Sequence, residues 1–166
     1  MRTMKKVFLV FWLLSMSLSL FAEVKEAPPN VAAAMLVKVI GFEKVIAAKS
    51  DVSIYVLGSE EVANELKKGI GQANIKNVEV GADLPASAPS VLFVADASKL
   101  EAAMAFTHQN KILSVTGLPD LVSKGITLGF GVGDDSKPKI LLNLSASAEE
   151  GLDWNPAILK IAKTIQ

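Results

Sequence analysis

The chain has 166 residues, 17 Lys+Arg against 17 Asp+Glu, one histidine and no cysteine. The balanced charge, spread without a basic cluster, excludes a protein that tracks nucleic-acid phosphates. The absence of cysteine excludes disulfides, thiol chemistry and Cys-ligated zinc.

At the start, Arg2, Lys5 and Lys6 precede the apolar run Val7 to Leu14. Ser15, Ser17 and Ser19 then interrupt it, and "LFA" ends at Ala22. This is the order of a secretory signal peptide over residues 1–22, with cleavage expected after Ala22. A membrane-spanning helix needs about 20 mostly apolar residues, so an uncleaved anchor is the weaker alternative. With no cysteine after the run, a lipoprotein leader is excluded. The leader holds three of the 17 basic residues and none of the acids, so the remainder carries a net −3. Residues 23–29, "EVKEAPP", read as a linker, and residues 30–166 as one domain.

Asn30 is the expected N-cap of a helix reaching about Ile46, with Met35, Leu36, Val39, Ile40 and Val45 or Ile46 at helical spacing. "DVSIYVLG" reads as a strand apolar on both faces, hence covered on both. Ser59 caps a helix over roughly Glu60 to Gly69. "NVEV" reads as a short strand, and "SVLFVAD" as a buried one. Asp96 or Ser98 caps a helix to about His108. "KILSVTG" is a strand and "LPDLVSKG" a helical turn. "ITLGFGVGDDSKPKILLNL" reads as a hairpin turning at "GDDSKP". Asn155 and Pro156 open a closing helix as N-cap and N1, with Trp154 expected to staple onto Leu159. Alternating strands and helices predict a single-domain α/β layer sandwich. Its sheet is mostly parallel, with a C-terminal antiparallel hairpin.

Little in the residues points to chemistry. His108, near a helix end, lacks partners at metal-ligand spacing and is expected to meet the last carbonyls or solvent. "GFGVG" lacks the strand-then-helix context of a dinucleotide loop. Gly129, Gly131 and Gly133 instead share one strand face, which admits either a tightly packed helix or a flat partner surface. Ser59, Asp96, Thr116 and Gly117 fall at the carboxyl ends of parallel strands, the edge where open α/β sheets bind ligands. Capping alone also accounts for Ser59 and Asp96. The pairs Asp134–Asp135 and Glu149–Glu150 fall on a turn and a helix start, where a raised carboxyl pKa is not expected. No catalytic, metal or cofactor residue is assigned.

The segments "ILSVTGLPDLVSKGITLGF", "ILLNLSASAEEGL" and "NPAILKIAKTI" resemble the YfiR-like family of small exported proteins, long described as a domain of unknown function. "VSIYVLG" and "SVLFVAD" are similar to that family's first and third core strands. The resemblance spans most of residues 31–166 and is specific from about Lys111 onward. It departs at "GFEKVIAAKSD", which keeps only Phe42 of an aromatic-rich stretch, and in having no cysteine. Asn143 matches the family's asparagine in the last strand. A buried carboxamide must find partners, so Asn143 is expected to bond backbone in the adjacent loop. Gly151 is then expected to end the following turn and return Leu152 to the core. These residues, with Trp154, read as structural.

The resemblance implies a non-enzymatic periplasmic regulator in cyclic di-GMP signalling. It would bind the periplasmic part of a membrane signalling protein such as a diguanylate cyclase. The alternative is a periplasmic small-molecule binding module serving a transporter or receptor. A homodimer is left open; no nucleic acid and no membrane insertion after cleavage are expected.

Overall fold

The structure, a computed structural model, describes residues 23–166; the expected leader over residues 1–22 lies outside them. Lys25–Glu26 (β1) pair antiparallel with a later strand, so residues 23–29 are not the linker expected of them. Helix α1 (Pro29–Val39) starts on Pro28–Pro29, with proline at the position where its missing N–H costs nothing. Asn30 therefore lies inside the first turn rather than at the cap.

The helix expected to reach Ile46 breaks early. A 3₁₀ turn (Ile40–Phe42) leads to Glu43, which takes an extended backbone and caps α2 (Lys44–Ala47) with its own carboxylate. Strand β2 (Val52–Leu57) is followed by α3 (Glu60–Lys67), whose Ser59 cap accepts from Val62 N. β3 (Ile75–Gly81) is longer than "NVEV". β4 (Val91–Val94) leads through a 3₁₀ turn capped by Asp96 into α4 (Leu100–Asn110). β5 (Leu113–Thr116), α5 (Asp120–Ser123), β6 (Leu128–Val132) and β7 (Pro138–Asn143) follow.

Asn143 ends β7 and caps α6 (Leu144–Glu149). Gly151, at φ +71°, turns the chain back through a left-handed residue, and Leu152 packs on the core. The closing helix is short. Asn155 caps it, but it is a single 3₁₀ stretch (Pro156–Lys160), and the chain continues as a strand, β8 (Ala162–Ile165). At 3₁₀ spacing the buried residue is Ile158, and Leu159 faces solvent. Trp154 packs on the core and donates from Nε1 to Ser147 Oγ at 2.8 Å, so the expected staple is replaced.

The sheet runs β3-β2-β4-β5-β6-β7-β8, with β1 attached to β6. Pairing is parallel except for β6–β7 and β1–β6. One face carries α1 and α3 over a core of Leu36, Val56, Leu66, Phe93, Val115 and Phe130. The other is covered by α4 and α5 over Leu57, Leu92, Val94, Ile112 and Ile126. The two-sided α/β sandwich is thus as expected. Among the described residues, no helix is long and apolar enough to cross a membrane.

Candidate functional site at the carboxyl edge of the sheet

The chain leaves β2 outward to β3, then crosses back to place β4 on β2's other side. The carboxyl ends of β2 and β4 are therefore a topological switch point, where connections diverge and open a crevice. A cavity of about 240 Å³ lies there, between Gly58 and Ser59 after β2 and Phe93 on β4 with Ala95 just after it. Its third wall is the protein's own N-terminal segment, Glu26, Ala27 and Pro29.

That segment is positioned by backbone. β6 pairs with β5 only at Leu128 and Gly129, because β5 ends at Thr116. Beyond that point β1 continues in line with β5, opposing Gly131 with Glu26 and Val132 with Lys25. Ala27 N donates to Gly117 O at 3.0 Å, which carries the chain over the end of β5. A salt bridge from Lys25 Nζ to Asp134 Oδ1 at 3.2 Å adds little, since both side chains are more than half exposed.

The alternating glycines explain how the segment fits. A Cβ on Gly131 would lie 2.7 Å from Lys25 O and 2.8 Å from Pro119 Cγ, and would overlap Val24 Cγ1. A Cβ on Gly129 would overlap Val122 of α5, and one on Gly133 would meet Lys139 Cε and Asp135 Oδ1. The glycine face is therefore not an open partner surface: α5, the N-terminal segment and the hairpin turn cover it. The covering stops short of β8. A groove of about 690 Å³ runs there, floored by Leu141 and Ile165 and walled by Val24 and Glu26 on one side and Pro119 and Ser123 on the other. Glu26 and Leu118 line both cavities, so the N-terminal segment is the partition between them.

The residues proposed for the rim separate on inspection. Ser59 and Gly117 line the switch-point cavity. Asp96 stands against Gly58 at its edge; its Oδ1 accepts from Ser98 N and Oγ, and these bonds hold its pKa below the usual carboxylate value. Thr116 is not on the rim. It is fully buried, donating to Val94 O at 2.7 Å and accepting from Leu118 N at 3.0 Å, which fixes the turn after β5.

Asn143, at the end of β7, donates to Val122 O at 2.7 Å and accepts from Ala146 N at 2.9 Å. One side chain thereby joins β7, α5 and α6. His108 meets Glu149 instead of helix carbonyls, with Nδ1 3.2 Å from Oε2.

Two buried carboxylates had no signal in the sequence reading. Glu43 is fully buried, its two oxygens accepting from Ile46 N at 2.6 Å and Asp153 N at 2.9 Å. A capping acid three residues before an apolar position is the trace that could have revealed it. Glu150 is also fully buried, at the end of α6 rather than at a helix start. Its Oε2 accepts from Ser114 N at 3.0 Å and from the Thr127 hydroxyl at 2.7 Å, while Oε1 has no protein partner. Desolvation raises its pKa against the lowering effect of those bonds, contrary to the sequence expectation. Neither glutamate lines either cavity, so both act on structure. Among the described residues, no group of three or more His, Asp or Glu could hold a metal ion.

A YfiR/HmsC-like family model matches residues 29–163. The chain belongs to the YfiR/HmsC-like family. Membership in this family fits a regulatory, non-catalytic role in general. No curated protein matches the chain. Among solved structures it is similar to a conserved domain protein from Vibrio cholerae O1 biovar El Tor, at 16% identity and a TM-score of 0.63. That match covers 85% of this chain and 61% of the other, and it shows a shared fold. The YfiR/HmsC-like match begins at Pro29, so β1, the partition between the cavities, lies just before the matched region.

Proposed function

We propose that this YfiR/HmsC-like protein is an exported, non-enzymatic regulator that acts in the periplasm. It binds the exported domain of a membrane signalling protein, such as a diguanylate cyclase, and so acts in cyclic di-GMP signalling. The observation that carries this reading is the family match over residues 29–163. The fold is compatible with it: Asp96 and Glu150, whose pKa values are shifted, are hydrogen-bonded within the protein.

Purification of the tagged mature protein from detergent-solubilised membranes tests the proposal. A membrane protein should co-purify through its exported domain, and deletion of that domain should abolish recovery. The switch-point cavity between Gly58 and Ala95 favours a second reading, a small-molecule binding module. Recovery of a retained small molecule with no protein partner would establish that reading instead.

A further inference from the structure

We infer that the buried Glu150 carboxyl is a proton-controlled latch: protonated, it holds the end of α6 against α4, β5 and β6, and ionised, it loosens that junction. The latch belongs to the fold and does not depend on the partner that the proposed function requires.

The two buried glutamates differ in how their oxygens are used. Glu43 has a backbone N–H on each oxygen. Glu150 takes its bonds from Ser114 N and the Thr127 hydroxyl on Oε2 alone, which leaves Oε1 buried without a protein partner. A buried ionised carboxylate is costly unless donors satisfy it, whereas a neutral carboxyl needs an acceptor for its proton. Thr107 is placed to be one. Its hydroxyl stands beside Glu150 and gives its hydrogen to Met104 O at 3.2 Å, so it has a lone pair to offer.

The surroundings supply no positive charge to hold an ionised form. From β5, β6 and α4 the carboxyl meets Ser114, Thr127 and Thr107, all neutral hydroxyls. The charged groups of the junction are His108 on α4, Lys111 just after it and Glu149 on α6. These bond to one another: Lys111 Nζ donates to Glu149 O at 2.6 Å, and His108 Nδ1 lies 3.2 Å from Glu149 Oε2. Desolvation therefore outweighs the hydrogen bonds on Glu150 and raises its pKa. The His108–Glu149 contact is an ion pair only when the imidazole is protonated, so it tightens the same junction in the same direction.

The segment that the latch closes has fixed ends. Asn143 holds its start to Val122 O and Ala146 N. At the far end Asp153 N bonds Glu43 Oε1, and Lys44 N bonds Asp153 O. Between them, Glu150 N, Gly151 N and Leu152 N bond back to the carbonyls of Ala146, Ala148 and Ser147. Gly151, at φ +71°, is the point of flexure. Loosening at Glu150 thus acts on the end of α6 and the end of α4, and local openings of this kind cost less than global unfolding.

Hydrogen exchange on the purified protein tests the latch, read as protection factors so that the intrinsic pH dependence cancels. Opening releases the proton between the ordinary pKa of 4.5 and the higher folded value. Protection of Gly151 and Leu152 should therefore fall by at most about tenfold per pH unit across that window and level off above it. Val52, whose N–H bonds Asn74 O at the far edge of the sheet, should not follow. In Glu150→Gln, the uncharged isostere, the dependence should vanish. An equal dependence in Glu150→Gln overturns the inference. So does its loss in His108→Gln, which would make the imidazole the switch. If Glu150→Gln fails to fold, the wild type decides. The carboxyl carbon resonance of Glu150 should titrate above pH 4.5, in step with the loss of protection. A carboxyl that titrates at or below that value overturns the latch.

Discussion

Glu150 is the residue whose environment departs furthest from its place in the sequence. Its carboxylate sits under α4 and α6, with one oxygen bonded twice and the other without a protein partner. Burial raises its pKa above the ordinary value of 4.5, so the protonated form is favoured in the folded state. The folded protein then binds more protons than the unfolded chain between those two pKa values. The stabilising contribution is fully present below about pH 4.5 and is lost as pH rises through the folded pKa. The difference in Tm between wild type and Glu150→Gln should therefore change with pH in wild type's disfavour from pH 4 upward; a pH-independent difference would mean that Glu150 does not titrate there. Asp96 and Asp135, whose pKa values are lowered, act oppositely but equally in both proteins. At Asn143 the loss is of partners. Asn143→Leu leaves Val122 O and Ala146 N without their bonds and should cost roughly 1–3 kcal/mol in chemical denaturation.

Among the elements, β6 shows why a strand can be easy to find while its surroundings are not. The alternation in "LGFGV" locates the strand and puts the glycines on one face. What lies on that face depends on Val24 and Lys25, far away in sequence, as well as on Pro119 and Val122 in the segment just before the strand. Gly131→Val adds a Cβ and two methyls against Lys25 O and Pro119. It should lower stability by roughly 1–3 kcal/mol, read in a thermal melt. A melt at or above that of wild type would mean the N-terminal segment simply moves aside. The closing element was harder. "NPAILKIAKTI" has helical periodicity, but Ala162–Ile165 pair with the otherwise exposed edge of β7. Completing a sheet ladder outweighed the helical preference of a short terminal segment, since short helices are marginal without packing.

For the molecule as a whole, the strand order places a crevice at the ends of β2 and β4, and the N-terminal segment closes over it. The segment Glu26–Pro29 is thus part of the candidate site. Cleavage after Ala22 would free a terminus one residue before Val24, beside the groove. N-terminal sequencing of the exported protein should begin at Glu23; a product retaining Met1 in the membrane would contradict cleavage and tether this edge of the sheet to the bilayer.

The order of strands and helices from β2 to β7, the hairpin at "GDDSKP", and the caps Ser59, Asp96 and Asn155 were legible in the sequence. Each rests on local physics: side-chain period, turn chemistry, or a side chain bonding backbone two or three residues away. Asn143 was legible only as a carboxamide needing partners; which backbone groups supplied them was not. The sheet's switch of direction at β2, the burial of Glu43 and Glu150, the cover over the glycine face and the use of Lys25–Glu26 as a strand were settled by the tertiary structure. All four depend on contacts between segments distant in the chain. Local pattern does not encode those contacts, because the free energy that selects them comes from burying surface and pairing backbone only once the whole sheet has assembled.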